Sequence, residues 1–314
     1  MSVRPLVSVI MSVYNERPDY LDLAVKSILG QTYDNLEFLI MDDGSGPLTS
    51  AALDAVARSD PRIRLFRQEN SGLTVALNYL IRQSQSVYVA RQDSDDISDP
   101  ERIEREVFFL GVHPEVMLLG TGCLLIDSQG KVLHRQRVKT RPRTLRRLMS
   151  HTNQFVHGSV MFRAKVFLEN MYYEEFRYAE DYDLFLRIAG RYSVANIDLP
   201  LYRYRINPES ISVSKSRQQL LMGMIVREAA RLRRQGALVG WSQEGYEHIA
   251  NSLNTPSHSR LLECSVLTAQ GRNLLLAGKK AEARQMFWRA FAFCPGLRGM
   301  WRLLRSLLPW RYVR

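Results

Sequence analysis

The feature that most narrows the fold is the regular alternation of short apolar runs with amphipathic stretches over the first hundred residues. Leu6 to Val13 (LVSVIMSV) reads as a buried strand, ended by Asn15 and Pro18. Tyr20 to Leu29 carries apolar residues at helical spacing up to Gly30, and Leu36 to Met41 (LEFLIM) reads as a second strand. Leu48 to Arg58 predicts a helix, Ile63 to Phe66 a strand, Gly72 to Gln83 a helix capped by Ser71, and Val87 to Ala90 a fourth strand. Such alternation implies βαβ units and a mainly parallel sheet, whose ligands bind beyond the carboxyl ends of the strands. Two acid-rich segments fall there: Asp42-Asp43, and Asp93-Ser94-Asp95-Asp96. The phasing alone expects them on one edge of the domain.

Further along, the pattern predicts a helix over Pro100 to Leu110, a strand over Val116 to Thr121 and a hairpin turn at Asp127 to Gly130. Arg141 to Met149 is polar and basic and reads as a loop or a short helix. Ser159 to Phe162 reads as strand, Ala179 to Ile188 as helix, and Tyr192 to Ile197 and Leu201 to Ile206 as two late strands. Beyond Lys215 the pattern is helical, at about 216–235, 242–253, 258–277, 280–293 and 297–308. A domain boundary is expected near Ser214. It separates an α/β domain of residues 1–214, with halves of about 1–98 and 99–214, from a helical region of residues 215–314. Residues 270–294 resemble one tetratricopeptide-like helical hairpin, with Trp288, Phe291 and Phe293 expected as packing residues.

The 314 residues carry a formal charge of +11, all of it from residues 216–314, since residues 1–215 balance. That excess suits a solvated helical face or a surface for an anionic membrane. No nucleic-acid recognition motif accompanies it, so no nucleic-acid partner is expected. Gly299 to Arg314 mixes Trp and Leu with Arg and reads as a membrane-surface helix. Cys123, Cys264 and Cys294 match neither a disulfide framework nor a zinc site. With no signal peptide read at the N-terminus, a cytoplasmic protein is expected, with peripheral contact on the inner face of the plasma membrane.

Clustered carboxylates at a strand end repel one another unless a cation sits between them, and oxygen ligands suit Mg²⁺ or Mn²⁺. For Asp93-Ser94-Asp95-Asp96 the bland alternative is an acidic turn ahead of the helix at Pro100. For Glu180-Asp181-Tyr182-Asp183 it is a set of first-turn acids complementing a helix dipole. A dinucleotide-binding dehydrogenase is excluded by motif, since Tyr14-Asn15-Glu16-Arg17 stands where G-x-G-x-x-G would, and no phosphate-binding G-x-x-x-x-G-K-[ST] is present.

An ordered set of segments resembles the family 2 glycosyltransferases. They are Pro5 to Glu16, Ser27 to Tyr33 (SILGQTY), Leu36 to Ser45 (LEFLIMDDGS), Asn70 to Asn78 (NSGLTVALN) and Tyr88 to Asp96 (YVARQDSDD). His157 to Arg163, Ala179 to Arg187 (AEDYDLFLR) and Leu201 to Ser212 (LYRYRINPESIS) are similar to three further motifs, so that the likeness runs from residue 5 to about 212.

The resemblance implies a GT-A fold, with a Rossmann-like central mixed sheet flanked by helices and an all-α C-terminal extension. It implies transfer of a sugar from a nucleoside-diphosphate sugar, UDP-sugar favoured, to a saccharide or lipid-linked hydroxyl acceptor, with inversion and with Mn²⁺ or Mg²⁺. Cell-surface polysaccharide or glycolipid synthesis would be its setting. Ser12, Tyr14 and Glu16 would line the nucleotide-sugar, with Tyr14 offering a stacking face. Asp43 would accept from a base N–H while Asp42 supports its loop, the two being interchangeable. Arg91 would neutralise phosphate or hold the carboxylates. Asp93 would meet the ribose or the metal, Asp95 would be the main metal ligand, and Asp96 would contact the sugar or lie behind the metal. Asp181, or failing it Glu180, would be the catalytic base, its basicity lowered by the helix dipole. Arg203, Arg205 and His157 are candidates for phosphate contact. Asn207 stands where many members have His, and the alternative reading is an inactive, glycosyltransferase-like binding protein.

Overall fold

The computed structural model describes residues 4–206, 216–237, 242–276 and 278–294. Asn207, the expected boundary at Ser214 and the membrane-surface helix of 299–314 lie outside those residues. The chain divides into two compact units, Met1–Glu175 with Glu180–Ile206, and Phe176–Ala179 with Asn207–Arg314.

The first unit opens as the sequence implies: β1 (Val7–Val13), α1 (Pro18–Leu29), β2 (Leu36–Asp43), α2 (Pro47–Ser59), β3 (Ile63–Gln68), α3 (Leu73–Gln83) and β4 (Tyr88–Arg91). Strands β1 to β4 run parallel in the order β3-β2-β1-β4. Val7, Val9, Met11 and Val13 of β1 pack with Phe38 and Ile40 of β2 against Leu21, Ala24, Val25 and Ile28 of α1, an i, i+3, i+4, i+7 stripe. The strand ends at Val13, ahead of Asn15 and Pro18 as expected, and Pro18 opens α1, where a missing N–H costs nothing.

The sheet continues through β5 (Ile97–Ser98), α4 (Arg102–Val112), β6 (Val116–Ile126), β7 (Val132–Gln136), α5 (Pro142–Met149), β8 (Met161–Arg163), α6 (Glu180–Arg191) and β9 (Ser193–Arg205). Its full order is β3-β2-β1-β4-β8-β6-β9-β5, with β7 paired to β6. Strand β8 runs antiparallel to β4 and β6, so the sheet is mixed. The two late strands expected from the sequence are one strand. Pro200 is tolerated within β9 because pairing with β6 is irregular around Gly122, where a donor can be spared.

The second unit, described by itself, is helical: α7 (Ser216–Arg234), α8 (Gln243–Leu253), α9 (Pro256–Leu276) and α10 (Lys280–Phe293). Met224, Leu262 and Val266 pack together, and Ala283 and Phe287 form a second cluster with Leu274 and Leu275. A Cβ on Gly271 would meet the Phe287 ring at 2.8 Å, so α9 and α10 approach closely there. Phe287 is the packing aromatic of α10, whereas Trp288 and Phe293, expected in that role, are exposed. The three cysteines are free.

Candidate active site

Loops at the carboxyl ends of β1, β2 and β4 form the first part of the site, as the strand phasing requires. Tyr14, just past β1, is 55% exposed, and Ser12 is half-buried at the strand's end. Asn15 takes a left-handed backbone (φ 51°) and bridges two loops: its N–H donates to Ser45 Oγ and its Oδ1 accepts from the Gly46 N–H at 2.8 Å. Glu16 Oε2 accepts from Ser94 Oγ at 3.0 Å, tying this loop to the aspartate segment after β4. A surface recess of about 310 Å³ opens between Asn15–Pro18 and Gly46–Thr49.

Asp42 and Asp43 are both buried, and both carboxylates hold backbone. Asp42 accepts from the Ser45 N–H at 2.9 Å. Asp43 accepts from Gln68 Nε2 and the Ser71 N–H through Oδ1, and from the Gly72 N–H through Oδ2, at 2.7 to 2.9 Å. It therefore does for the start of α3 what Ser71 was expected to do, while the Ser71 hydroxyl donates to the Glu69 carbonyl. Asp43, 2% exposed, thus holds three protein donors.

The segment after β4 divides its acids by burial. Asp96 is wholly buried and its Oδ1 accepts from the Arg205 N–H at 2.7 Å. Burial first, then repulsion from Asp95 and Asp93, pushes its carboxyl well above the usual range. Asp96 fastens the segment to β9, which suits the second of its two expected roles, behind the metal. Asp93 and Asp95 remain partly accessible. Burial, then Asp93, then Glu16 push Asp95 up to about 7. Arg91, 1% exposed, donates from Nη2 to Asp93 Oδ1 at 2.7 Å, while its Nε and Nη1 are buried with no hydrogen-bond partner among the described residues.

Beneath the segment lies a buried polar network that sequence reasoning missed. Gln92 Nε2 donates to the carbonyls of Asp93 (2.9 Å) and Asp96 (3.0 Å), and its Oε1 accepts from Ser98 Oγ. Arg102 reaches Ser98 Oγ at 2.9 Å and pairs with Glu106, whose carboxyl burial pushes up to about 7. The Tyr202 hydroxyl accepts the Asp93 N–H at 3.1 Å. Gly158 is packed so closely that a side chain there would strike both Tyr202 and Asp93.

The second part of the site is the start of α6. Asp181 Oδ2 accepts from Asn153 Nδ2 at 2.8 Å and its Oδ1 from the Tyr182 N–H. Burial, then the neighbouring Glu180, push Asp181 up to about 7, with Asp93 adding to the rise. The expectation of lowered basicity is thus reversed, because desolvation outweighs the N–H at the helix start. Between the clusters, His157 Nε2 and the Tyr172 hydroxyl share a hydrogen bond of 2.9 Å. Burial, then the Arg91 charge, pull His157 down to about 3, so it is neutral and poorly suited to phosphate. Arg205 is committed to the carbonyls of Asp95 and Asp127, and Arg203 is exposed on β9.

Among the described residues no three His, Cys, Asp or Glu side chains form a ready-made metal cage. Asp93 and Asp95 still fit a hard divalent cation, being adjacent carboxylates held together against repulsion. Mg²⁺ and Mn²⁺ commonly take one or two carboxylates and draw their remaining ligands from substrate phosphates and water.

Residues 8–170 match the family described as Glycosyl transferase family 2, which is more than half of the chain. The chain belongs to glycosyltransferase family 2. It is 34% identical over 239 residues to EpsE of Bacillus subtilis, a protein named as a glycosyltransferase, covering 74% of this chain and 84% of that one. It is 31% identical over 220 residues to the O-antigen biosynthesis glycosyltransferase WbnJ of Escherichia coli, covering 68% of this chain and 85% of that one. Among solved structures it resembles the mannosyltransferase PcManGT of Pyrobaculum calidifontis, determined with GDP-Man and Mn²⁺, at 17% identity and a TM-score of 0.58 over 98% of this chain and 85% of that one. The glycosyltransferase thus has the GT-A fold expected from its motifs, a mixed sheet flanked by helices with a helical C-terminal region.

Proposed function

We propose that this glycosyltransferase moves a sugar from a nucleoside-diphosphate sugar to a hydroxyl of a saccharide or lipid-linked acceptor, inverting the anomeric carbon, in surface-polysaccharide assembly. One relationship carries the reading: Gly158 lies against Asp93 while the adjacent His157 packs on Phe185 of α6, whose first turn holds Asp181, so the two acid clusters belong to one neighbourhood.

In the proposed reaction the acceptor oxygen attacks the anomeric carbon as its proton passes to a carboxylate oxygen of Asp181. The bond from that carbon to the diphosphate breaks, and its electron pair leaves with the nucleotide. A base with a pKa near 7 is ionised in useful amount at neutral pH yet still basic enough to take the proton. Asn153 orients that carboxylate. Arg91 holds Asp93 and brings a positive charge to the donor side. Glu16, Asp93 and Asp95 would flank the diphosphate, and Ser12 and Tyr14 the nucleoside. A divalent cation held by Asp95 and Asp93 would neutralise charge on the departing diphosphate, where stabilisation raises rate most. The O-antigen role in WbnJ's name and the Mn²⁺ in the PcManGT complex support the acceptor class and the cation.

The test is a panel of nucleotide sugars assayed for nucleotide release and transfer, with Mn²⁺ or with chelator, and NMR of the product's anomeric configuration. Turnover with inversion that disappears in Asp181→Asn is expected. Retention of configuration, or full turnover by Asp181→Asn, would overturn the reading.

A further inference from the structure

Between Asp127 and Glu169 the chain contains no acidic residue, and eight cations fall within residues 131–147. All eight are exposed, and among the described residues none of them makes an ion pair. Soluble surfaces ordinarily intersperse the two signs. Arg135 lies on β7 and Arg137 just past its end; among the described residues β7 pairs with β6 alone, and charge on an edge strand deters association with other strands. That explanation does not reach Arg143, Arg146 and Arg147 on α5. There the inner positions Leu145 and Met149 are buried and the arginines face water.

We propose that this strip is the surface by which the protein lies on an anionic lipid bilayer. Its extent favours a surface over a single anion. Five strand residues and eight helical ones run about 17 Å and about 12 Å, far longer than one diphosphate. Val132, 49% exposed at the start of β7, adds an apolar side chain among the cations, which suits a headgroup layer and has no use on a nucleic-acid backbone. The strip also adjoins the base: the Tyr182 hydroxyl donates to the Met149 carbonyl at the end of α5, and Asn153, just beyond, donates to Asp181. A bilayer met by α5 would present a lipid-linked hydroxyl toward Asp181, a consequence that rests on the proposed function, whereas the docking surface itself does not.

The test uses the full chain and vesicles of phosphatidylcholine with and without phosphatidylglycerol, read by co-sedimentation at low and at physiological salt. The wild type is expected to bind only the anionic vesicles, and less as salt rises. Arg143→Gln, Arg146→Gln and Arg147→Gln together should weaken partition roughly a hundredfold, at about fivefold for each cation removed. Donor-dependent nucleotide release in solution should be unchanged, which separates loss of docking from loss of the active site. Equal binding by wild type and triple variant, absence of vesicle binding, or capture of a short DNA duplex without capture of vesicles would each overturn the proposal.

Discussion

Gly158 and Asp93 touch: a Cβ on the glycine would lie 2.6 Å from Asp93 Oδ2 and closer still to the Tyr202 hydroxyl. One methyl group therefore cannot be added without displacing the carboxylate. Overpacking of this kind costs about 1–3 kcal/mol of stability. Gly158→Ala is expected to remain folded by circular dichroism, with a lowered Tm, while losing at least about a hundredfold in kcat/KM as Asp93 shifts. Wild-type turnover in that variant would mean that Asp93 has no part in the reaction.

With Asp181 raised to about 7 by burial and Glu180, the base must lose its proton to act, so kcat/KM should rise with pH through about 7. Glu180→Gln removes the like charge and should move that limb to lower pH. Asn153→Ala removes a hydrogen bond to the ionised form and should move it to higher pH. Asp181→Asn should cost about 10²–10⁴-fold. A profile indifferent to both neighbours would assign the limb to another group.

Asp95 gives a stability prediction of opposite sense to the usual one for an acid. Its folded pKa of about 7 lies above its unfolded value, so the folded protein binds more protons between about pH 4 and 7 and loses stability as pH rises through that window. Asp95→Asn should accordingly raise the Tm of the metal-free protein at pH 8, on the order of 2–6 °C, and leave it unchanged near pH 3.5. The same variant should lose any Tm gain produced by Mn²⁺. Melting curves at the two pH values, with and without the ion, check both.

The Arg102–Glu106 pair separates support of the aspartate segment from simple burial. Both side chains are fully buried. Arg102→Met alone should destabilise by about 3–5 kcal/mol, more at pH 8 than at pH 6, because an ionised Glu106 would then lie unpaired. Arg102→Met with Glu106→Leu should recover most of that loss. If the segment depends on Arg102 through Ser98 and Gln92, the double variant will still show a raised KM for donor.

Which parts of this site could be read in the chain depends on the range of the interactions. Strand–loop phasing is local, so the segments after β1, β2 and β4 were placed correctly, and the parallel half of the sheet followed from the same alternation. One-letter code could not separate Asp93 and Asp95 from Asp43 and Asp96. All four end or follow apolar strand runs, and only the fold supplies the burial and the partners, such as the Gly72 and Arg205 N–H groups, that set Asp43 and Asp96 apart. Tyr202 meets Asp93 across 109 positions and Asn153 meets Asp181 across 28, and neither contact leaves a periodicity to detect. Gly158 is visible in the sequence only as a motif glycine, and its necessity lies in two side chains distant in the chain, Asp93 on the loop after β4 and Tyr202 on β9. The single strand β9 reads as two, Tyr192 to Ile197 and Leu201 to Ile206, because the irregular pairing that accommodates Pro200 between them is a property of β6 as much as of β9.

A protein in which Asp95 and Asp181 both titrate at about 7 is also a reservoir of hydrogen ions. Any cation settling beside Asp95 must expel part of that store into the medium. The heat of binding will then include the ionisation heat of whatever buffer receives it, and calorimetry in two buffers of unlike ionisation enthalpy will count the ions released.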